Sequence, residues 1–292
     1  MLQIKLRSWI TLAAIAIATC AQATELAPWF DPDKNLMVRP SYTYRNYTSV
    51  DTHEGAVRHH STDDLINLSL LMANDDLYSG EIEYLIGYTS QRSFSSRALG
   101  MTLRYHLLND VVGDPISVMA GVSLRYIQHN GLNDISFFYH GPFEFEPTLS
   151  FGKEMVCEDY WTSRWWSVFG VGTANRGSPW VRAEFSWENN WWDEQEVKIF
   201  VNSFWGLGHR NLHEFTNFEH FKGYYNIDHQ SIDVGARYQY NIPCGGDISL
   251  EYYYRAYARN GPLHINAATI RLTIPFGIPA IFTYFARGIK VI

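Results

Sequence analysis

Residues 116–126 read Ile-Ser-Val-Met-Ala-Gly-Val-Ser-Leu-Arg-Tyr. In an extended chain Ile116, Val118, Ala120, Val122, Leu124 and Tyr126 fall on one side, and Ser117, Met119, Gly121, Ser123 and Arg125 on the other. Strand side chains alternate with period two, so this stretch reads as a two-faced strand and not a helix. The pattern recurs twelve times between Leu36 and Phe276, in runs of 8 to 12 residues broken by turns.

The first half divides cleanly. Leu36, Val38, Tyr42 and Tyr44 oppose Met37, Arg39, Thr43 and Arg45, while Ile82, Tyr84 and Ile86 oppose Glu81 and Glu83. Leu99, Met101, Leu103 and Tyr105 oppose Gly100, Thr102, Arg104 and His106; Phe143, Phe145 and Leu149 oppose Glu144, Glu146 and Thr148. In the second half Val181, Phe185 and Trp187 oppose Arg182, Glu184 and Glu188, and Val234 and Tyr238 oppose Asp233 and Arg237. Leu250 and Tyr252 oppose Glu251 and Arg255, and Ile270 and Leu272 oppose Arg271. Two runs, Trp165–Thr173 and Val197–Trp205, carry apolar residues on both faces.

A soluble sandwich also alternates, with its apolar face inward. Its strands average about five or six residues, whereas a tilted strand crossing a bilayer needs about ten. Residues 1–23 read as a secretory signal peptide: Lys5 and Arg7, then the apolar run from Ile10 to Thr19, then Ala21-Gln22-Ala23 with cleavage after Ala23. That apolar run is too short for a bilayer-spanning helix, and no later segment offers one, so membrane crossing would fall to strands. The aromatic share of 16% suits interfacial girdles, with Trp165, Trp166, Trp191 and Trp192 beside periplasmic turns and Tyr88, Tyr126 and Trp205 near external ends.

Over residues 35–276 the chain resembles the bacterial outer-membrane β-barrels, a likeness of architecture that carries over no functional residue. The fold expected is an all-β antiparallel transmembrane barrel of about twelve strands, preceded by a short periplasmic segment at 24–34. Such a barrel implies membrane lipid and the outer-membrane assembly machinery as partners. With periplasmic termini, the external gaps fall near 48–63, 89–97, 128–142, 175–179, 207–230 and 258–263, and the three longest gaps are all external. Residues 277–292 are expected to form an apolar tail folding back on the barrel, a segment tucked into the lumen, or an extra strand.

Cys157 and Cys244 both fall in periplasmic turns, where an oxidising compartment allows a disulfide if their Cα atoms lie within about 7 Å. Histidines crowd the external gaps: His53, His59 and His60 in the first, His209, His213 and His220 in the fifth. Imidazole clusters capture Zn, Cu or haem iron, although polar loop composition explains these residues without any cofactor.

The polar faces carry nine cations, Arg39, Arg45, Arg104, Arg125, Arg182, Lys198, Arg237, Arg255 and Arg271. Eight anions face them: Glu81, Glu83, Glu144, Glu146, Glu184, Glu188, Asp233 and Glu251. A nearly balanced set reads as a salt-bridged lumen with a narrow polar path, because buried charge has to be paired. The net charge of −7, which becomes −9 on loss of Lys5 and Arg7, argues against nucleic acid as a partner. The function expected is a narrow porin-like channel, or a small-solute binding barrel, gated by the loop at 207–230. A rim enzyme hydrolysing lipid is the alternative, with His264 and Asn266 on one strand face but no serine tied to them by spacing. A surface structural or adhesive barrel is the third reading.

Overall fold

The structure is a computed structural model that describes residues 25–30, 35–74, 77–157, 160–213, 218, 221–242 and 246–277. The signal peptide, residues 278–292 of the tail, Cys244 and His220 lie outside the described residues.

One antiparallel sheet takes up nearly all of the described chain. Its strands are β1 (Asn35–Thr52), β2 (Gly55–Asn74), β3 (Tyr78–Thr89), β4 (Arg92–Leu108), β5 (Ser117–Ile127), β6 (Phe143–Cys157) and β7 (Tyr160–Ala174). The second half adds β8 (Trp180–Trp191), β9 (Gln195–Gly206), β10 (Gln230–Asn241), β11 (Asp247–Arg259), the two-residue β12 (Pro262–Leu263) and β13 (Asn266–Gly277). Each long strand pairs with its sequence neighbours, and β1 pairs with both β2 and β13: Tyr42 lies opposite Ile66 on one side and Ile270 on the other. The sheet therefore closes into a barrel of twelve long strands, and closure leaves no open edge.

The wall is inside-out relative to a soluble domain. Ile82 (50% exposed), Leu124 (51%) and Leu250 (55%) face outward, whereas Thr43 (0%), Glu188 (1%) and Arg237 (4%) face in. An apolar belt on a closed strand wall is the surface that hydrocarbon solvates. Trp191, Trp192, Tyr88, Tyr126 and Trp205 stay exposed near the strand ends.

Two sequence expectations need correcting. The gaps at 48–63 and 89–97 are mostly strand: β1 and β2 pair out to Thr52 and Gly55, and β3 and β4 out to Thr89 and Arg92. Beyond the apolar belt neither face needs to be apolar, so alternation ends while the backbone ladder continues. Trp166 is also no girdle residue. It points inward at 0% exposure, as do Val168 (1%) and Phe200 (5%), which accounts for the two runs with apolar residues on both faces. These inner apolar residues are seats for chain segments that enter the lumen.

Ile82→Arg places a charge near the middle of the apolar belt and is expected to cost about 2–4 kcal/mol in vesicle-reconstituted unfolding titrations. Val112→Arg, at an exposed periplasmic turn, serves as the control and should leave the midpoint unmoved.

Candidate functional site in the lumen

Inside the barrel lies a cavity of about 260 Å³ with strongly charged walls. Most of the charge ladder converges there or directly beside it. Arg45 pairs with Asp63 at 2.7 Å, Arg255 with Asp233 at 2.7 Å, and Arg182 with Glu146 at 2.8 Å. Arg125 lies between Glu83 (3.6 Å) and Glu144 (3.5 Å), and Lys198 reaches Glu184 at 3.1 Å. Glu251 and Arg271 complete the lining. Nearer the periplasm, Glu188 pairs with Arg164 and accepts from the Trp166 indole at 3.0 Å, Arg104 donates to Ser79 at 2.9 Å, and Arg39 donates to Thr273 at 3.4 Å. Glu81 is buried on the inner face of β3. Asp63, Arg97, Arg164 and Glu25 belong to this network but escape strand-by-strand reading, because each lies in a gap, a mixed run or the segment before the barrel.

The periplasmic side of the cavity is filled by residues 25–30. Leu26 and Ala27 are buried against Trp166 and Val168, with Trp29 packed beside them. The Trp29 indole donates to Asp110 in a periplasmic turn at 3.0 Å, and Phe30 meets His106 edge-on. Arg104 donates to the backbone carbonyls of Glu25 (2.9 Å) and Ala27 (3.3 Å). The Glu25 carboxylate projects furthest in, 2.7 Å from Arg237 and 3.4 Å from Lys198. Gly152 makes room for this seating, because a β-carbon there would lie 2.8 Å from the Trp29 ring.

The external side is closed by two loops in layers. Residues 128–142 turn inward after a single helical turn at His129–Leu132 and bury Asp134, Ile135, Phe137, Tyr139 and His140. Phe137 lies under the Arg45 guanidinium at 4.8 Å and Phe138 under Arg255 at 4.8 Å, so the loop's aromatics rest on the lumenal cations. Asp134 accepts from Thr89 at 2.6 Å and pairs with Arg97 at 3.5 Å. The described part of the loop at 207–230, the expected gate, packs on it as a second layer. Tyr224 donates to the Ile135 carbonyl at 2.9 Å and meets Phe138 edge-on at 4.9 Å. Asn260 donates to the Asp228 carbonyl at 2.6 Å and ties this layer to the β11 hairpin.

Two histidines that the sequence marks only as loop residues sit in the seam between the layers. His140 stacks on Trp180 at 4.3 Å, and His229 lies 4.9 Å from the His140 ring centroid. Both nitrogens of His140, and Nε2 of His229, are buried with no hydrogen-bond partner among the described residues. Orphaned buried nitrogens are costly, and they mark where the closed arrangement is held with least margin. Gly172 is what allows Trp180 to lie flat here: a β-carbon at that position would fall 1.8 Å from the indole.

The other sequence candidates separate. His53 and His213 come within 6.0 Å of each other, with Glu54 accepting from His213 at 2.7 Å. His59 sits against Phe218, and His60 and His209 are exposed elsewhere. Among the described residues no group of three or more His, Cys, Asp or Glu side chains is arranged to hold a metal ion. Cys157 is exposed at the periplasmic end of β6. At the external rim His264 is hydrogen-bonded to Tyr254 and Asn266 to Tyr252, and His264, at a positive φ of 52°, lies outside β13, so the two do not share a strand face.

A closed barrel of twelve strands, apolar outside and charged within, has the architecture of the bacterial outer-membrane β-barrel proteins. Among solved structures, the fold is similar to that of the COG4313 outer membrane channel from Pseudomonas putida F1. The TM-score is 0.66 at 12% identity, over 87% of this chain and 100% of that one. The NanC porin is similar at a TM-score of 0.53 and 10% identity, over 82% of this chain and 98% of the porin. No protein-family model matches the chain, and no curated protein matches it.

The histidine seam generates a pH dependence. Burial pushes the His140 imidazole down to about 3, against the pull of Glu146, and burial together with His140 and Arg255 holds His229 well below the ordinary range. The groups facing the pair are Glu144, Glu146 and Arg255. A depressed base binds its proton better once the cap opens, so the histidine pair's own contribution to closure is present in full above the ordinary histidine pKa of about 6.5 and is lost as pH falls below it. Open-channel events in planar bilayers should become more frequent between pH 7.5 and 5, and His140→Phe with His229→Phe should flatten that response.

Proposed function

We propose that this protein is a gated, narrow outer-membrane channel for small polar solutes, seen in a state closed at both ends by its own chain. The observation that carries the reading is the charged cavity of about 260 Å³, enclosed between residues 25–30 and the inward-folded loop at 128–142. A barrel serving only as an anchor or adhesive surface has no use for a charge-lined space between two closures. The neighbours support the reading at the level of fold: one is an outer membrane channel and the other a porin. Balanced charge suits the passage of polar molecules, because a path lined by paired charges can exchange partners with a solute in steps.

Export on the signal peptide belongs to the same proposal, since cleavage after Ala23 makes Glu25 the second residue of the mature chain. The intact mass of the purified protein checks that cleavage.

Single-channel recording tests the reading. Wild-type protein is expected to show sparse openings. Loosening the inner closure with Trp29→Ala, or the outer with Phe138→Ala, should raise open probability by about tenfold for each 1.4 kcal/mol of closure removed. Complete silence from wild type and both variants, in protein that migrates as a folded barrel, contradicts the channel reading.

A further inference from the structure

Among the described charged side chains that line the cavity, Glu25 is the one that no strand carries. It is delivered into the cavity on the short segment before the barrel, and three wall cations converge on it: Arg237 at 2.7 Å, Lys198 at 3.4 Å and Arg271 at 3.8 Å. All three come from neighbouring parts of the wall, on β10, β9 and β13, and their side chains are 4%, 7% and 11% exposed. Lys198 and Arg237 have further wall partners in Glu184 (3.1 Å) and Glu188 (3.9 Å). The short contact of Arg237 is nevertheless the one to Glu25. Arg45, Arg125, Arg182 and Arg255, the other cations of the cavity, each pair with a carboxylate fixed on a strand.

Among the described residues, seven Lys and Arg side chains and six Asp and Glu side chains line the cavity, Glu25 among them. Withdrawing the segment removes the carboxylate that is both nearest Arg237 and paired with Arg271, at a single spot on the cavity wall. Lys198 keeps Glu184 and Arg237 keeps Glu188, but the cluster loses its shortest ion pair, so an anion is favoured at the vacated position.

We propose that Lys198, Arg237 and Arg271 form a binding site for the carboxylate group of a small solute, and that Glu25 occupies this site as a tethered stand-in when the barrel is closed. Solute and segment then compete for one set of cations, and an incoming carboxylate exchanges places with Glu25 instead of having to pull it away unaided. The guanidinium forks of Arg237 and Arg271 suit the planar acceptor pair of a carboxylate, while the Lys198 ammonium adds a point charge. A cavity of about 260 Å³ accepts molecules of a few carbons and excludes oligomers. The inference deepens the channel reading by naming a solute class, and it is tested at equilibrium so that its failure is distinct from a failure to conduct.

The test is isothermal titration of succinate into the full-length detergent-solubilised barrel. Glu25→Gln keeps the segment's shape but removes the competing charge. It should bind succinate at least about tenfold more tightly than wild type, the worth of one charge-assisted contact. Adding Arg271→Gln to Glu25→Gln should abolish that gain, as should Arg237→Gln, which serves as a second probe in case either double variant fails to fold. Acetate should compete with succinate, and ethylammonium should not. The proposal is overturned if Glu25→Gln binds succinate no better than wild type, or if folded double variants keep the full affinity.

Discussion

A wall of strands set in hydrocarbon can satisfy its backbone only by closing on itself, and closure leaves the polar faces nowhere to point but inward. The rest of the structure depends on that constraint. Twelve strands bring arginines, a lysine and carboxylates into a confined space, so the charges pair between nearby strands of the wall. The paired wall also supplies the surfaces on which the closing segments rest: cationic ledges for Phe137 and Phe138, and a carboxylate seat for Glu25.

Much of this was legible in the sequence, and what was missed was missed for physical reasons. Period-two alternation is imposed by lipid on one side and lumen on the other, so the run at 116–126 and its repeats gave strands, faces and the ladder of charges directly. Where the wall rises above the membrane that pressure ends. Asp63 and Arg97 were hidden for that reason, being paired strand residues in stretches that read as loops. The inner closures left a fainter trace. Trp166 and Phe200 break the alternation of their strands, and an inward apolar residue in such a barrel implies something apolar to cover it. For Trp166 that covering is Leu26 and Ala27; for Phe200 it is the loop cluster around Ile135 and Tyr224. The run Ile-Ser-Phe-Phe-Tyr at 135–139 is likewise too apolar for a solvated external loop, a signal that could have picked out the inner layer of the cap ahead of the longer loop.

The two closures differ in kind. The periplasmic one is a single short segment held by one ion-paired carboxylate, a buried Leu-Ala pair and the Trp29 anchor, an arrangement that can be exchanged as a unit. The external one is a layered packing of aromatics with three imidazole nitrogens at its seam unpartnered among the described residues, which suits a response to proton concentration more than to a particular solute. A channel with these two devices in series would read solute chemistry from one side and acidity from the other.

The central claim is that residues 25–30 lie inside the barrel. The direct measurement is the labelling rate of a cysteine introduced at Ala27 (Ala27→Cys) in a Cys157→Ser, Cys244→Ser background, using a bulky hydrophilic maleimide on folded protein, with Val112→Cys as the exposed reference. Strong protection of position 27 relative to position 112, lost when Glu25→Gln and Trp29→Ala are added, is the result expected. Equal labelling of the two positions in otherwise wild-type protein would contradict the account.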